Sequence, residues 1–297
     1  MTVGDATQSR RPRPGGIGSL YGRPVARIGY GAMQLEHGDD RSAFAVLRRA
    51  VELGVNHIDT AEFYAAGLVN MRIRAALHPY PDDLVLVSKI GATSDVNAEW
   101  GLRPAQTPAE MRAEVETNLR TLGLERLDVV NFYPMGRNPG IPEEQRVDFD
   151  DQLAELVALR DAGLIGGFGL SHVDAGRLRH ALPADVACVQ NGYSLVDRSS
   201  EPVLEVCREF DIAWVPYFPL GSGVPDLPKV ADLPAVREVA SLLGVSAAQV
   251  GLAWLLATGP HALLIPGTRS IEHLEENIAA GDVALDEGAL ALLAGSR

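Results

Sequence analysis

The chain has 297 residues, of which 46% are hydrophobic and 22% charged, so it is long and apolar enough to bury a large core. Its net charge of −13 argues against a nucleic-acid or anionic-membrane partner, because phosphate contacts need clustered Lys and Arg. Two cysteines give no disulfide framework and favour a reducing, cytoplasmic location. No apolar run reaches the length of about 18 residues that a membrane span requires.

The N-terminal stretch is predicted to differ in structure from the rest of the chain. The first 20 residues contain no apolar segment that resembles a signal core, and we predict a flexible tail over residues 1–20. Residues 21–297 show no linker and no change of composition, so they are expected to form one domain.

Short apolar runs with β character alternate with helical patterns along this domain. The predicted strands cover residues 28–33, 56–59, 84–88, 127–132, 165–170, 187–190, 212–216 and 262–265. The predicted helices cover residues 41–53, 68–77, 107–123, 149–161, 174–181, 201–210, 233–243 and 247–258, and a further helix begins near residue 270. Eight strands alternating with helices predict an α/β fold, a single (β/α)8 TIM barrel. A doubly wound open sheet is the alternative, but the first strand lacks the third glycine of its usual fingerprint.

Asp59, Tyr64 and Lys89 lie at or just after the ends of two neighbouring predicted strands. Because parallel strands of a barrel open on the same side, we expect these three side chains to converge. A tyrosine is a poor proton donor at its free pKa of about 10, but an adjacent ammonium favours the phenolate and is expected to lower that pKa. Asp59 would keep Lys89 charged. A Schiff-base lysine is the alternative use of Lys89, and it leaves the Tyr64 spacing unexplained.

A phosphate-binding site is predicted at the same mouth of the barrel. Arg269 follows the last predicted strand and precedes a helix that begins near Ser270, so a guanidinium and helix N-terminal amides lie together. No metal site is predicted, because the 7 histidines are scattered without ligand spacing.

With these residues in place, the sequence resembles the aldo-keto reductase family over nearly its whole length from about Ile28. The most specific match is Asp59-Thr60-Ala61-x-x-Tyr64 followed by Lys89 at a strand end. Further matches, in the same order along the chain, are Gly169-Leu170-Ser171, Gln190 with Tyr193, Tyr217-Phe218-Pro219-Leu220-Gly221, and Ile265-Pro266-Gly267-Thr268-Arg269 with Glu276-Asn277.

The resemblance implies a metal-free reductase that transfers hydride from NADPH to a small-molecule aldehyde or ketone. Tyr64 would give a proton to the carbonyl oxygen, Lys89 would activate it and Asp59 would hold the lysine. NADPH would be preferred to NADH, because Thr268 and Arg269 would bind the 2′-phosphate.

The other cofactor contacts are implied in the same way. Ser171 and Gln190 would bind the nicotinamide carboxamide, Tyr193 would stack on the ring, and Gly221 and Ser222 would follow the pyrophosphate. Glu276 and Asn277 would lie near the adenine. The implied cofactor-binding set is completed by His172, Tyr217, Leu220, Gly223 and Gly267.

Two positions depart from the family pattern. Tyr133 stands at the end of the fourth predicted strand, where many members carry a histidine, and its phenol can donate a hydrogen bond to a carbonyl oxygen. Tyr133 is therefore included in the catalytic set. His172 replaces a common asparagine. These departures leave open an NADPH-binding sensor or scaffold with little activity, and the sequence does not indicate an oligomeric state.

Overall fold

The computed structural model describes residues 12–98, 101–135, 141–221 and 228–295. The strands are β1 (Ile17–Leu20), β2 (Arg23–Ala26), β3 (Tyr30–Gly31), β4 (His57–Asp59), β5 (Val85–Ile90), β6 (Ala92–Ser94), β7 (Leu102–Pro104), β8 (Leu127–Phe132), β9 (Ile165–Ser171), β10 (Cys188–Gln190) and β11 (Ala213–Trp214). A parallel sheet runs in the order β11-β10-β9-β8-β5-β4-β3, while β1 with β2 and β6 with β7 form separate hairpins.

The two edges of this sheet are joined by residues 262–264. Ala262 pairs in parallel with Trp214 on one side, and Leu264 pairs in parallel with Ile28 on the other. The amide of Gly29 donates to the carbonyl oxygen of Leu264 at 2.7 Å. The eighth predicted strand is therefore present as isolated bridges rather than as a continuous ladder, and it closes the predicted (β/α)8 barrel.

The helices are α1 (Asp40–Glu52), α2 (Leu68–Leu77), α3 (Pro108–Leu122), α4 (Phe149–Asp161), α5 (Ala175–Ala181), α6 (Glu201–Phe210), α7 (Pro234–Leu243), α8 (Ala247–Ala257), α9 (Ile271–Ala279) and α10 (Glu287–Ala294). The predicted boundaries of α2, α4 and α6 are confirmed at both ends. The start of α3 is fixed by a capping box between Thr107 and Glu110, which satisfies amides that the helix itself leaves free. Within the described residues, no single helix is long and apolar enough to cross a membrane; α7 and α8 reach that length only together, across a bend of 97°.

The hydrophobic core has two layers. The larger layer packs the outward faces of the barrel strands against the helices, and it includes Ile58, Leu86 and Phe168. The smaller layer fills the inside of the barrel with side chains such as Val87 and Val129. A filled interior leaves the carboxyl-terminal mouth as the place where polar side chains gather.

The β1–β2 hairpin lies against the amino-terminal end of the barrel, and it corrects the predicted tail. Leu20 is only 1% exposed and packs with the inner layer of the core. The ring of Tyr21 occupies the space that a Cβ of Gly167 would need. The prediction of a flexible tail up to residue 20 is therefore wrong for Ile17–Leu20, because the pairing of this strand with β2 and the burial of Leu20 depend on contacts that local sequence does not reveal. Residues 1–11 lie outside the described part of the chain.

The loop between β4 and α2 holds two exposed alanines in the left-handed region, Ala65 with φ +48° and Ala66 with φ +50°. A side chain in that region costs roughly 1–2 kcal/mol, which glycine avoids. We expect Ala66→Gly to raise the free energy of unfolding by about 0.5–1 kcal/mol after the extra unfolded-state entropy of glycine is subtracted. Urea titration measures this. Ala113→Gly, at an exposed position in α3, is the matched control and should lower the free energy of unfolding by about 1 kcal/mol.

Candidate active site

A cavity of about 980 Å³ opens at the carboxyl-terminal mouth of the barrel. The predicted site residues that line it are Asp59, Tyr64, Lys89, Tyr133, Ser171, His172, Gln190, Tyr217, Leu220, Gly221, Gly267 and Asn277. They are distant in sequence, and the barrel brings them together because its parallel strands all end on this side. A smaller cavity of about 340 Å³ lies beside the β1–β2 hairpin and is lined by none of them. Among the described residues, no group of three or more His, Cys, Asp or Glu is arranged to hold a metal ion.

Asp59 and Lys89 form an ion pair at the base of this cavity, and their side chains are 5% and 15% exposed. The amine of Lys89 also donates to the carbonyl oxygen of Thr60 at 2.9 Å. Nε2 of Gln190 donates to the other carboxylate oxygen of Asp59 at 2.7 Å. These contacts fix both charged groups, and the amine of Lys89 lies over the ring of Tyr64.

The charge of Lys89 is maintained by its surroundings. Burial lowers the pKa of Lys89, but the interactions with Asp59 and Tyr64 raise it by more, so the net pKa lies above its ordinary value. Lys89 is therefore protonated throughout the neutral range. The predicted role of Asp59, to keep Lys89 charged, agrees with this balance.

Tyr64 lies in the loop after β4 and is 9% exposed, with the amine of Lys89 4.9 Å from its ring centre. Burial raises the pKa of Tyr64, and the positive charge of Lys89 lowers it by less, so the net pKa is above 10. Lys89 has the expected lowering effect on the pKa of Tyr64, but the loss of hydration on ionisation outweighs the attraction of one ammonium. The phenol is consequently protonated at neutral pH and lies in contact with a cation that favours its anion.

One wall of the cavity is formed by three aromatic side chains that touch one another. The rings of Tyr133 and His172 meet edge to face, with 5.1 Å between their centres. Nδ1 of His172 lies 2.8 Å from the hydroxyl of Tyr217, and the tautomer of the histidine decides which group donates. The His172 ring is thereby held against Tyr133 and Tyr217.

Tyr193 lies outside the cavity, contrary to the prediction that it stacks on the nicotinamide. It is 2% exposed, its ring stacks on Trp254 at 5.6 Å, and it meets Trp214 edge to face at 5.8 Å. Its hydroxyl is hydrogen-bonded to Glu201. Tyr217, at the end of the neighbouring strand, lines the cavity.

The turn at Arg269 carries the features expected of a phosphate site. Thr268 is 8% exposed, and its hydroxyl accepts from the amide of Ser270 at 3.1 Å. Ser270 caps α9, whose Asn277 lines the cavity. The side chain of Arg269 is exposed and has no ion-pair partner within the described residues, which leaves its guanidinium available to an anion. Glu276 is partly buried on α9 but does not line the cavity.

The segment after β11 forms the opposite rim. Gly221 has φ +88°, and a Cβ there would lie 2.5 Å from the carbonyl oxygen of Pro228. This close approach brings Lys229 beside Gly221, where it lines the cavity as a cation that sequence reasoning missed. The predicted residues Ser222 and Gly223 lie outside the described part of the chain.

Several other cavity residues were not predicted. Asn131 is a polar residue at an inward-facing position of β8, and strict alternation along residues 127–132 is the signal that would have found it. Phe63 and Phe218 are loop residues whose place in the cavity wall depends on tertiary packing. No local pattern marks them.

The closed barrel, with its cavity and its buried ion pair at the carboxyl-terminal mouth, is the arrangement of a barrel enzyme that acts on a small molecule. A model of the aldo/keto reductase family matches residues 27–295, and the chain belongs to this family. The family resemblance, the barrel fold and the NADP(H) cofactor are thereby confirmed.

Individual relatives agree with this assignment. The chain is 42% identical over 285 residues to pyridoxine 4-dehydrogenase from Escherichia coli (strain K12), covering 93% of this chain and 96% of that protein. It superposes with a TM-score of 0.75 and 28% identity on an aldo-keto reductase from Klebsiella pneumoniae in complex with NADPH, over 91% of this chain and 90% of that one. A thermostable aldo-keto reductase in complex with the inhibitor epalrestat gives a TM-score of 0.77 and 27% identity, over 93% and 98% of the two chains.

Proposed function

We propose that this chain reduces the carbonyl group of small aldehydes with Tyr64 as the proton donor, and that pyridoxal is among its substrates. The buried ion pair of Asp59 and Lys89, with its amine 4.9 Å from the Tyr64 ring centre, is the observation that carries the first part. NADPH, when bound, supplies the hydride. The 42% identity to a pyridoxine 4-dehydrogenase supports the second part.

The chain's own residues handle the proton. Tyr64 gives its phenolic proton to the carbonyl oxygen as hydride adds to the carbon, so the products are an alcohol and NADP⁺. Lys89 stabilises the phenolate that remains, and Asp59 holds the amine in place. Tyr64 then takes a proton from solvent at the cavity mouth. Tyr133 lines the same cavity and donates a second hydrogen bond to the carbonyl oxygen.

The cavity also fits the cofactor. Oε1 of Gln190 is buried without a partner among the described residues, and an amide N–H of the nicotinamide carboxamide would satisfy it. We assign the carboxamide to Ser171 and Gln190, the ring stacking to Tyr217, and to His172 the orientation of Tyr217 through the contact of its Nδ1 with the Tyr217 hydroxyl. The remaining contacts are assigned to Leu220 and Gly221 for the pyrophosphate, Gly267, Thr268 and Arg269 for the 2′-phosphate, and Glu276 and Asn277 for the adenine side.

The walls on the substrate side suit an aromatic aldehyde. Phe63, Leu102 and Ile141 present apolar surface, and Phe218 is 44% exposed at the rim. A flat ring placed between such side chains leaves only its aldehyde group facing Tyr64 and Lys89. This arrangement supports pyridoxal and similar aromatic aldehydes over extended polar substrates.

The purified protein can be tested by following NADPH oxidation with pyridoxal and with a panel of other aldehydes, ketones and quinones. We expect kcat/KM for pyridoxal to exceed that for aliphatic ketones. Turnover with other aldehydes but not pyridoxal would refute the substrate assignment alone. Tight NADPH binding without oxidation by any compound of the panel would refute the proposal that the protein is a reductase. It would favour an NADPH-binding sensor or scaffold.

Arg269→Ala is expected to lower the ratio of NADPH to NADH affinity by about 10- to 100-fold, because a charge-assisted hydrogen bond to the 2′-phosphate is lost. Titration of intrinsic fluorescence with each cofactor measures the ratio. Arg179→Ala is the control: this arginine is also exposed, but it is paired with Glu209 at 2.7 Å and lies outside the cavity lining. An unchanged ratio in Arg269→Ala would show that Arg269 does not bind the phosphate.

A further inference from the structure

Asn131 lies inside the barrel at the edge of the active-site cavity, and its side chain is fully buried. It is in register with Lys89 on the neighbouring strand β5 and with Gly169 on β9. The Asn131 amide therefore lies at the same level along the barrel axis as the ion pair of Asp59 and Lys89. Asn131 has no role in the mechanism proposed above.

Of the two polar atoms of the Asn131 amide, one has a hydrogen-bond partner. Oδ1 of Asn131 accepts from the thiol of Cys188 at 3.2 Å, whereas Nδ2 is buried with no partner among the described residues. Gly169 lies between them in the sheet, and a Cβ there would overlap both Oδ1 of Asn131 and Sγ of Cys188. The missing side chain therefore lets the Asn131 amide lean across β9 toward β10.

Gln190, on β10, has an acceptor oxygen that lacks a donor. Its Nε2 donates to Asp59 at 2.7 Å, which fixes the orientation of the amide and leaves Oε1 buried without a partner in the described part of the chain. The same cavity thus has one unsatisfied N–H donor on β8 and one unsatisfied acceptor on β10. Native proteins seldom leave buried polar atoms unpaired, and a ligand that pairs both accounts for them.

We propose that Asn131 is a positioning residue for the cofactor: its Nδ2 donates to the carbonyl oxygen of the nicotinamide carboxamide, while Oε1 of Gln190 accepts from the carboxamide nitrogen. A primary carboxamide carries one such acceptor and one such donor, so it matches the pair. Holding the carboxamide at both ends fixes which face of the nicotinamide ring is turned toward Tyr64. The inference rests on the NADP(H) cofactor and does not depend on the choice of substrate.

The state of His172 explains why another residue is needed. Many family members have an asparagine at this position. Here it is a histidine with φ +58°, and its Nδ1 lies 2.8 Å from the Tyr217 hydroxyl, within hydrogen-bond distance. Its ring is engaged with the aromatic wall. Asn131 supplies an amide donor from the neighbouring strand β8 instead.

The test measures binding rather than turnover. Kd is determined for NADP⁺ and for adenosine 2′,5′-bisphosphate, which has the adenine and 2′-phosphate but no carboxamide, in the wild type, Asn131→Leu and Asn131→Asp. We expect both variants to lose about tenfold in affinity for NADP⁺, the size of one hydrogen bond, and to bind the bisphosphate as the wild type does. Asn131→Leu removes the donor without adding charge and Asn131→Asp removes it while keeping the shape of asparagine, so a loss shared by both variants belongs to the missing donor rather than to packing or charge.

A cofactor analogue separates the two ends of the carboxamide. In 3-acetylpyridine adenine dinucleotide phosphate a methyl group replaces the amide nitrogen, so the acceptor for Asn131 is kept and the donor for Gln190 is lost. Asn131→Leu should therefore lose the same factor with the analogue as with NADP⁺. An equal loss for NADP⁺ and the bisphosphate, no loss for NADP⁺, or a loss that disappears with the analogue would each overturn the proposal. Because no substrate is present, a failure here is distinct from a failure to reduce aldehydes.

Discussion

Tyr64→Phe is expected to lower kcat for carbonyl reduction by about 10²- to 10⁴-fold, the usual contribution of a positioned proton donor. The Kd for NADPH should stay unchanged, because the phenylalanine ring keeps the packing and only the hydroxyl is removed. Stopped-flow or steady-state oxidation of NADPH gives kcat, and fluorescence titration gives the Kd. Full turnover in this variant would contradict the assignment of Tyr64.

Tyr80→Phe is the matched control for Tyr64→Phe. Tyr80 is also partly buried, and its hydroxyl donates to the carbonyl oxygen of Leu122 at 2.7 Å, but it lies outside the cavity lining. Tyr80→Phe should lower the free energy of unfolding and leave kcat unchanged.

The pH dependence of the wild-type rate gives a second check. Burial raises the pKa of Tyr64 above 10, so the phenol keeps its proton at neutral pH. The rate of carbonyl reduction should therefore be independent of pH through the neutral range and fall only as the pH rises through that pKa.

Lys89→Met is expected to lower kcat by about 10²- to 10³-fold, because the phenolate of Tyr64 loses the charge that stabilises it. It should also lower the free energy of unfolding by about 3–5 kcal/mol, since Asp59 is left as a buried and unpaired charge. Urea titration and NADPH oxidation measure the two effects separately. A variant with normal kcat would show that Lys89 serves the fold alone.

Adding Asp59→Asn to Lys89→Met separates structure from chemistry. Without the unpaired carboxylate, most of the lost unfolding free energy should return, because the remaining groups are neutral. The kcat should stay low, because no cation faces Tyr64. For comparison, Arg179→Met breaks the exposed pair with Glu209 and should change the free energy of unfolding by less than about 1 kcal/mol.

The candidate site was predictable where chemistry and spacing coincide on strand ends. Asp59, Tyr64 and Lys89 were found from the sequence, because polar residues after apolar runs mark the mouth of a parallel barrel. Tyr193 was placed in the site although it lies outside the cavity lining, whereas Tyr217 lines the cavity. Both tyrosines follow strand ends, and only their packing tells them apart: Tyr193 is buried beside Trp254, and Tyr217 faces the cavity.

The direction of the Tyr64 pKa also required the structure. The sequence supplies the charge of Lys89 but not the extent to which Tyr64 is removed from water, and removal from water is the larger effect here. The same applies to Asn131 and Gln190. Their unpaired amide atoms become visible only when every neighbouring donor and acceptor has been assigned.

The order of strands and helices, most helix boundaries and the barrel were determined by the sequence itself, since hydrophobic periodicity, caps and glycines act over a few residues. The β1–β2 hairpin, the closure of the barrel by residues 262–264 and the occupants of the cavity wall were decided by the tertiary structure. Those features depend on contacts between residues far apart in the chain. A local pattern carries no information about such partners, and burial and close approach arise only when the barrel has closed.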